Sequence, residues 1–144
     1  MTMKKIFAFL TMALLIGFIM TPDTADAQMK YEQLIEDSTM TNADTLSAVC
    51  SYTFSDNYTF SVQIVADSLT GSTAGTAYLQ QWNGDPNESS PTWTTVSGKT
   101  LTINGVKSET IWEVTSATGS KYRVYIITSG TATTKVNAWM CIKR

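Results

Sequence analysis

Histidine is missing from all 144 residues. Its absence removes the Ser-His-Asp and Cys-His nucleophile arrangements and the commonest zinc ligand. There is also no P-loop and no dinucleotide-binding glycine pattern. Charge is sparse in both signs: ten Lys and Arg stand against twelve Asp and Glu, a net charge of −2. The basic residues are scattered, so the sequence carries no electrostatic footprint for nucleic acid. No catalytic residue, cofactor or metal ligand set is nominated, and the expectation is a protein that is not an enzyme.

Carboxylates are the one chemistry left to weigh. Asp85 and Glu88 stand three apart in a polar stretch, and Asp56 and Asp67 fall at the ends of an alternating run. A glycosidase pair would draw on these, and a calcium site would draw on Asp85, Asn87 and Glu88. The spacing fits neither motif, and solvated loop acids are the simpler account. Cysteine is equally scarce. Cys50 and Cys141 make an even pair, which in an exported chain predicts one disulfide. Closing so long a loop is worth about 4–5 kcal/mol in the chain-entropy account. The alternative is two buried free thiols.

The only long hydrophobic run is Ile6–Met20, preceded by Lys4 and Lys5 and followed by Thr21-Pro22 and the triplet Ala25-Asp26-Ala27. A basic start, a short apolar run and a small-x-small site describe a signal peptide cleaved after Ala27. The run is short for a membrane span, which needs about 20 apolar residues. An uncleaved anchor, touching membrane through residues 6–20, is the alternative. Residues 28–45 read as a polar lead-in. Within them "YEQLIED" spaces Tyr31, Leu34 and Ile35 as one side of a short helix.

From Leu46 the apolar period becomes two. "LSAVCSYTF" and "YTFSVQIVA", separated by Ser55–Asn57, read as two strands joined by a tight turn. "TAYLQQW" puts Ala77 and Leu79 on one face, with Tyr78, Gln80 and Trp82 on the other. "NGDPNESSP" is an exposed loop with Asn-Gly and Asp-Pro turn signals. "TWTTV", "KTLTINGV", "ETIWEVT", "KYRVYIIT" and "TTKVNAWMCIK" follow as strands, with Val124, Ile126, Val136 and Ala138 facing inward. Seven or eight short strands spaced near ten residues predict an all-β, antiparallel, jelly-roll-like sandwich over residues 46–144. Pairing its first strand with its last would bring Cys50 towards Cys141. The strands Tyr58–Ala66 and Tyr122–Thr128 contain no proline to blunt an edge, so pairing between copies is expected.

Four tryptophans, Trp82, Trp93, Trp112 and Trp139, accompany Tyr78 and Tyr125. Three uses are open to them: sandwich core, subunit interface, or a platform for stacking sugars. Tyr78, Trp82, Tyr125 and Trp139 are the candidates for an interface or binding surface, and the apolar surface of Trp82, Tyr125 and Trp139 is expected to form the core of a subunit contact.

The order of pieces from Tyr58 to Arg144 resembles a small β-sandwich family of bacteriophage virion proteins, of the capsid-decoration or head-fibre kind. The resemblance rests on "GSTAGT" (Gly71–Thr76), Leu79-Gln80, Asn83-Gly84, Trp93-Thr94 and "YRVYIITSGT" (Tyr122–Thr131). The loop before Trp93 is longer than that family's usual turn. The resemblance implies a structural virion protein whose partners are itself and other virion proteins, as an oligomer or lattice. It transfers no catalytic residue. The export signal fits a different reading, a secreted or cell-surface carbohydrate-binding or adhesion module of a bacterium. The expected location is accordingly the virion, or the periplasm or exterior if the signal is cleaved.

Overall fold

A computed structural model describes residues 29–54, 58–85, 87 and 89–143. The expected signal or anchor segment lies outside the described residues. Eight strands run in chain order: β1 (Met29–Met40), β2 (Thr45–Val49), β3 (Thr59–Thr70), β4 (Thr73–Trp82), β5 (Thr94–Gly105), β6 (Lys107–Val114), β7 (Lys121–Ser129) and β8 (Thr133–Lys143). All pairings are antiparallel. Sheet I has the order β1-β8-β3-β6, and sheet II has the order β2-β7-β4-β5. Among the described residues there is no helix. The chain thus folds back on itself in four pairs, 1 with 8, 2 with 7, 3 with 6 and 4 with 5. Successive pairs alternate between the sheets.

Period-two alternation explains the packing, because successive side chains leave a strand on opposite faces. Phe60, Val62, Ile64 and Ala66 of β3 and Val136, Ala138, Met140 and Ile142 of β8 line the inner face of sheet I. They meet Ala77 and Leu79 of β4 and Tyr122, Val124 and Ile126 of β7 in one continuous core. Trp112 belongs to this core and is not a surface group. Each Val, Leu, Ile, Phe or Met side chain among these contributes about 1.5–3 kcal/mol by leaving water. One end of the core is closed by aromatic rings. Phe54, Phe60 and Tyr122 stand 4.6–5.1 Å apart between centroids, and Tyr122 accepts a hydrogen bond through its hydroxyl from the Gly119 N–H.

The "GSTAGT" stretch owes its glycines to geometry. Gly71 turns the chain from β3 to β4 with φ of +67°, a left-handed conformation that other residues resist. Gly75 lies in β4 where the backbone of β7 comes so close that a methyl group would meet the Ile127 carbonyl oxygen.

Several expectations are corrected here. The lead-in expected over residues 28–45 is, among the described residues 29–45, neither a linker nor a short helix. Most of them form β1, which buries Ile35 and Met40 in the core. The sandwich therefore begins before residue 46. "LSAVCSYTF" is not one strand hairpinned to the next. β2 stops at Val49, the chain crosses between sheets, and β3 belongs to the other sheet. "TWTTV" and "KTLTINGV" are one strand, β5, interrupted by a bulge opposite Tyr78–Gln80 with Gly98 at φ +71°.

The Cys50–Cys141 disulfide is also absent, since both cysteines are free. A first strand does pair with the last, but that strand is β1, and it sets Tyr31 opposite Cys141. Cys50 follows β2 in the other sheet and is buried in the core. Cys141 alternates with buried Met140 and Ile142, so its side chain points outward.

The two strands expected to offer bare edges, around Tyr58–Ala66 and Tyr122–Thr128, are β3 and β7, and each has a neighbour on both sides. The true edges are β1, β6, β2 and β5, and three are blunted by known means. β1 carries two register shifts and turns Lys30 and Glu32 inward. β2 has five residues, and β5 is bulged.

Candidate ligand-binding face

The inward residues of sheet II fix which residues must face out. On β4 these are Tyr78, Gln80 and Trp82, and on β7 they are Lys121, Arg123 and Tyr125. The register then sets Tyr78 opposite Tyr125, Gln80 opposite Arg123 and Trp82 opposite Lys121. Ser47 of β2 falls beside Tyr125 on the other flank. Sequence alternation thus builds a two-ring ladder, Tyr78 and Tyr125, with centroids 6.4 Å apart and planes tilted by 34°.

Arg123 sits at the middle of this face. Its Nε donates to Gln80 Oε1 at 2.8 Å, and one terminal nitrogen donates to Ser47 Oγ at 3.4 Å. The guanidinium carbon lies 4.5 Å from the ring centre of Trp93 and 4.8 Å from that of Tyr125. Trp93 reaches this place because the loop after β4 returns over Trp82, with the two indoles 6.1 Å apart. A cleft of about 370 Å³ opens beside that pair, lined by Gln81, Trp82, Asn83, Gly84, Thr92 and Thr94. Burial lowers the Arg123 pKa, with Tyr125 acting weakly the other way. Among the described residues the ion pairs are Lys107–Glu109 at 2.7 Å and Lys135–Asp37 at 2.9 Å, both on sheet I. No described carboxylate pairs with Arg123.

The four sequence candidates therefore separate. Tyr78 and Tyr125 come together on the outer face of sheet II, half-buried. Trp82 shares that face but is only 6% exposed, covered by Trp93, so it supports the surface without offering one. Trp139 lies on the opposite side of the molecule, on the outer face of sheet I. There it lines a shallow cleft of about 70 Å³ with Tyr31, Ser61, Gln63, Ile111 and Cys141. A single apolar surface made of Trp82, Tyr125 and Trp139 does not exist. Arg123, Gln80 and Ser47 were not singled out from sequence. The available signal was the "KYRVY" alternation, which puts a charged residue between two outward positions of a strand that also carries Tyr125.

The remaining chemistry is structural. Cys50 donates to Glu32 Oε2 at 3.2 Å, and Glu32 Oε1 also accepts from the Ser51 N–H at 2.9 Å. Burial first, and then the Glu32 carboxylate, push the Cys50 thiol up to about 12, while the Tyr52 N–H works against them. At neutral pH the group is a thiol and a poor nucleophile. Asp85 accepts from the Asn87 N–H at 2.9 Å, an Asx turn of the kind a solvated loop uses. Asp56 and Glu88 lie outside the described residues. Among the described residues no three Cys, Asp or Glu cluster as metal ligands.

No family model matches the chain. No curated protein matches it either.

Proposed function

We propose that the chain is a non-enzymatic structural protein of a virion, a decoration or fibre component that works through protein–protein contacts. The strand order carries this reading. An order of 1-8-3-6 facing 2-7-4-5 is that of a jelly roll, the double Greek key used by viral capsid and lectin domains. The motifs that resemble the phage family fall on its structural joints, with Gly71–Thr76 at the β3–β4 turn and Tyr122–Thr131 along β7 and into the β7–β8 turn.

The contact surface in this reading is the outer face of sheet I, and its occupant is a second copy of the chain. Met29, Tyr31 and Ile111 are 70%, 69% and 62% exposed there, around the half-buried Trp139. Aromatic and Met side chains are enriched in the cores of such contacts. The blunted strand edges favour face-to-face contact over edge pairing. Lys4, Lys5 and the run Ile6–Met20 would deliver the chain to a membrane or through it, as in the export reading.

Sedimentation of the full chain at tens of micromolar tests the proposal. Assemblies that dissolve when Trp139→Ser is introduced support it. A monomer that ignores this change, yet is retained on a polysaccharide column, transfers the assignment to the second reading. That reading is a surface or secreted glycan-binding module, and the specific observation favouring it is the Trp93–Arg123–Tyr125 arrangement on sheet II.

A further inference from the structure

We infer that the outer face of sheet II is a binding site for an acidic saccharide, with Arg123 taking the sugar carboxylate and Trp93, Tyr78 and Tyr125 stacking against sugar rings. The inference deepens the glycan-binding reading and rests on it. It is independent of assembly through sheet I, because the two faces lie on opposite sides of the sandwich.

The charge comes first. A guanidinium carries five N–H donors in a fixed plane. The Arg123 Nε–H is committed to Gln80, and one terminal N–H is directed at Ser47. The rest of the terminal edge has no described partner. Its cation also has no described carboxylate partner, although it has been partly withdrawn from water. Here the internal contacts orient the side chain, and the remaining terminal N–H groups have no partner among the described residues. The guanidinium fork matches the two oxygens of a carboxylate. Lys121 is on the same strand face, two residues away, and adds positive charge.

The class of anion follows from what surrounds the charge. Rings stand along one sheet face, with Tyr78 and Tyr125 as a cross-strand pair and Trp93 over Arg123. Flat rings accept the apolar C–H faces of a sugar, and the Gln80 amide and Ser47 hydroxyl suit its hydroxyls. An acidic peptide is less well served. Extended peptides bind by adding a strand at a sheet edge. This site lies on the face of two central strands, whose backbone groups are already used in the ladder. A free inorganic anion would use the arginine but not the rings.

The experiment is a titration of the full chain, followed by tryptophan fluorescence and by calorimetry. The probes are a hexameric oligouronate, a neutral hexasaccharide of the same linkage, a polyglutamate peptide and inorganic sulfate. The oligouronate should bind most tightly, perturb tryptophan emission and weaken as salt is raised. Arg123→Gln should lower its affinity by about tenfold or more, the weight of a charge-assisted hydrogen bond. Arg123→Lys keeps the charge and loses the fork, so it should recover only part of the affinity. It also serves as the folded control should the glutamine variant be unstable. Trp93→Phe should weaken both saccharides.

Several results would overturn the inference. Equal binding of the neutral and acidic hexamers removes the arginine's role but leaves glycan binding standing. Polyglutamate binding as tightly as the uronate replaces the saccharide with an acidic protein partner. Sulfate competing at equal concentration reduces the site to a bare anion contact. No binding by any saccharide removes both this inference and the glycan-binding reading.

Discussion

The two outer faces of the sandwich come from the same rule and end in opposite chemistry. Both are the odd-out half of an alternation whose other half fills one core. Sheet I carries exposed apolar side chains, Met29, Tyr31 and Ile111, around Trp139, and each of its ion pairs is closed, Lys107 with Glu109 and Lys135 with Asp37. Sheet II has aromatics as well, but they are arranged around an arginine that has no described acid. The difference shows that aromatic content alone does not name a function. What a tryptophan is beside decides whether its surface suits a second protein or a charged ligand.

The largest expected effect separates the faces through their scaffolds. Sheet II depends on close approach of β4 and β7 at Gly75, a constraint absent from sheet I. Gly75→Ala should therefore destabilise the fold by about 1–3 kcal/mol, the usual cost of overpacking, and should disturb the Tyr78–Tyr125 ladder. Urea unfolding with an unchanged slope checks the first part, and near-ultraviolet circular dichroism checks the second. An alanine variant as stable as the parent would mean that the strands are not in such close contact.

Smaller changes address the surfaces directly. Trp139→Ser, at a half-buried position, should cost about 0.5–3 kcal/mol, the usual range for single substitutions, while abolishing assembly. Tyr125→Ser should do the reverse, leaving assembly intact and loosening Arg123. This corrects the expectation that both aromatics belong to one contact, and parallel sedimentation of the two variants decides it.

The cysteines sharpen the inside–outside contrast on a finer scale. In the Trp139→Ser variant, where sheet I is left uncovered, Cys141 should react with iodoacetamide well before Cys50, whose thiol is buried and held protonated. Both should react in denaturant, and intact-mass spectra read each step. Equal native rates would contradict the inward placement of Cys50.

The smallest effect lies at the turn that joins the two sheets on one flank. Asp44 accepts from both the N–H and the hydroxyl of Thr41, which hold its carboxyl below the usual range. A depressed folded pKa gives stability that is present above the ordinary value, near pH 4, and lost as pH falls through the folded value. The melting difference between the parent and Asp44→Ala should therefore be largest at neutral pH and shrink at acid pH. A difference that grows at low pH would show that the carboxylate is not the group involved.

How much of this was legible depended on the continuity of the alternation. β3, β4, β7 and β8 were readable because Phe60–Ala66, Ala77–Leu79, Tyr122–Ile126 and Val136–Ile142 alternate without interruption. β1 was misread because it is bulged. Register shifts between Gln33 and Ile35, and between Ile35 and Ser38, each change which face the next residue occupies. A period of two interrupted in this way imitates the spacing of a helix, and Tyr31, Leu34 and Ile35 did so. β2 seemed too long for the opposite reason. Cys50 and Phe54 stay buried after the strand ends, held by hydrogen bonds from their N–H groups to the Tyr122 and Ser120 carbonyls, so burial alternates on past the ladder. For the site, Tyr78 and Tyr125 were visible as outward aromatics. Arg123 was not, because its neighbours Gln80, Ser47 and Trp93 come from three other parts of the chain. Only the register brings them together.

In the proposed reading the two faces have separate tasks, assembly on sheet I and ligand binding on sheet II. Sedimentation velocity of the full chain, beside its Trp139→Ser and Arg123→Gln variants under identical conditions, tests it most directly. The expected result is an assembled parent, an assembled Arg123→Gln variant and a monomeric Trp139→Ser variant. An Arg123→Gln variant that falls apart while Trp139→Ser stays assembled would contradict it.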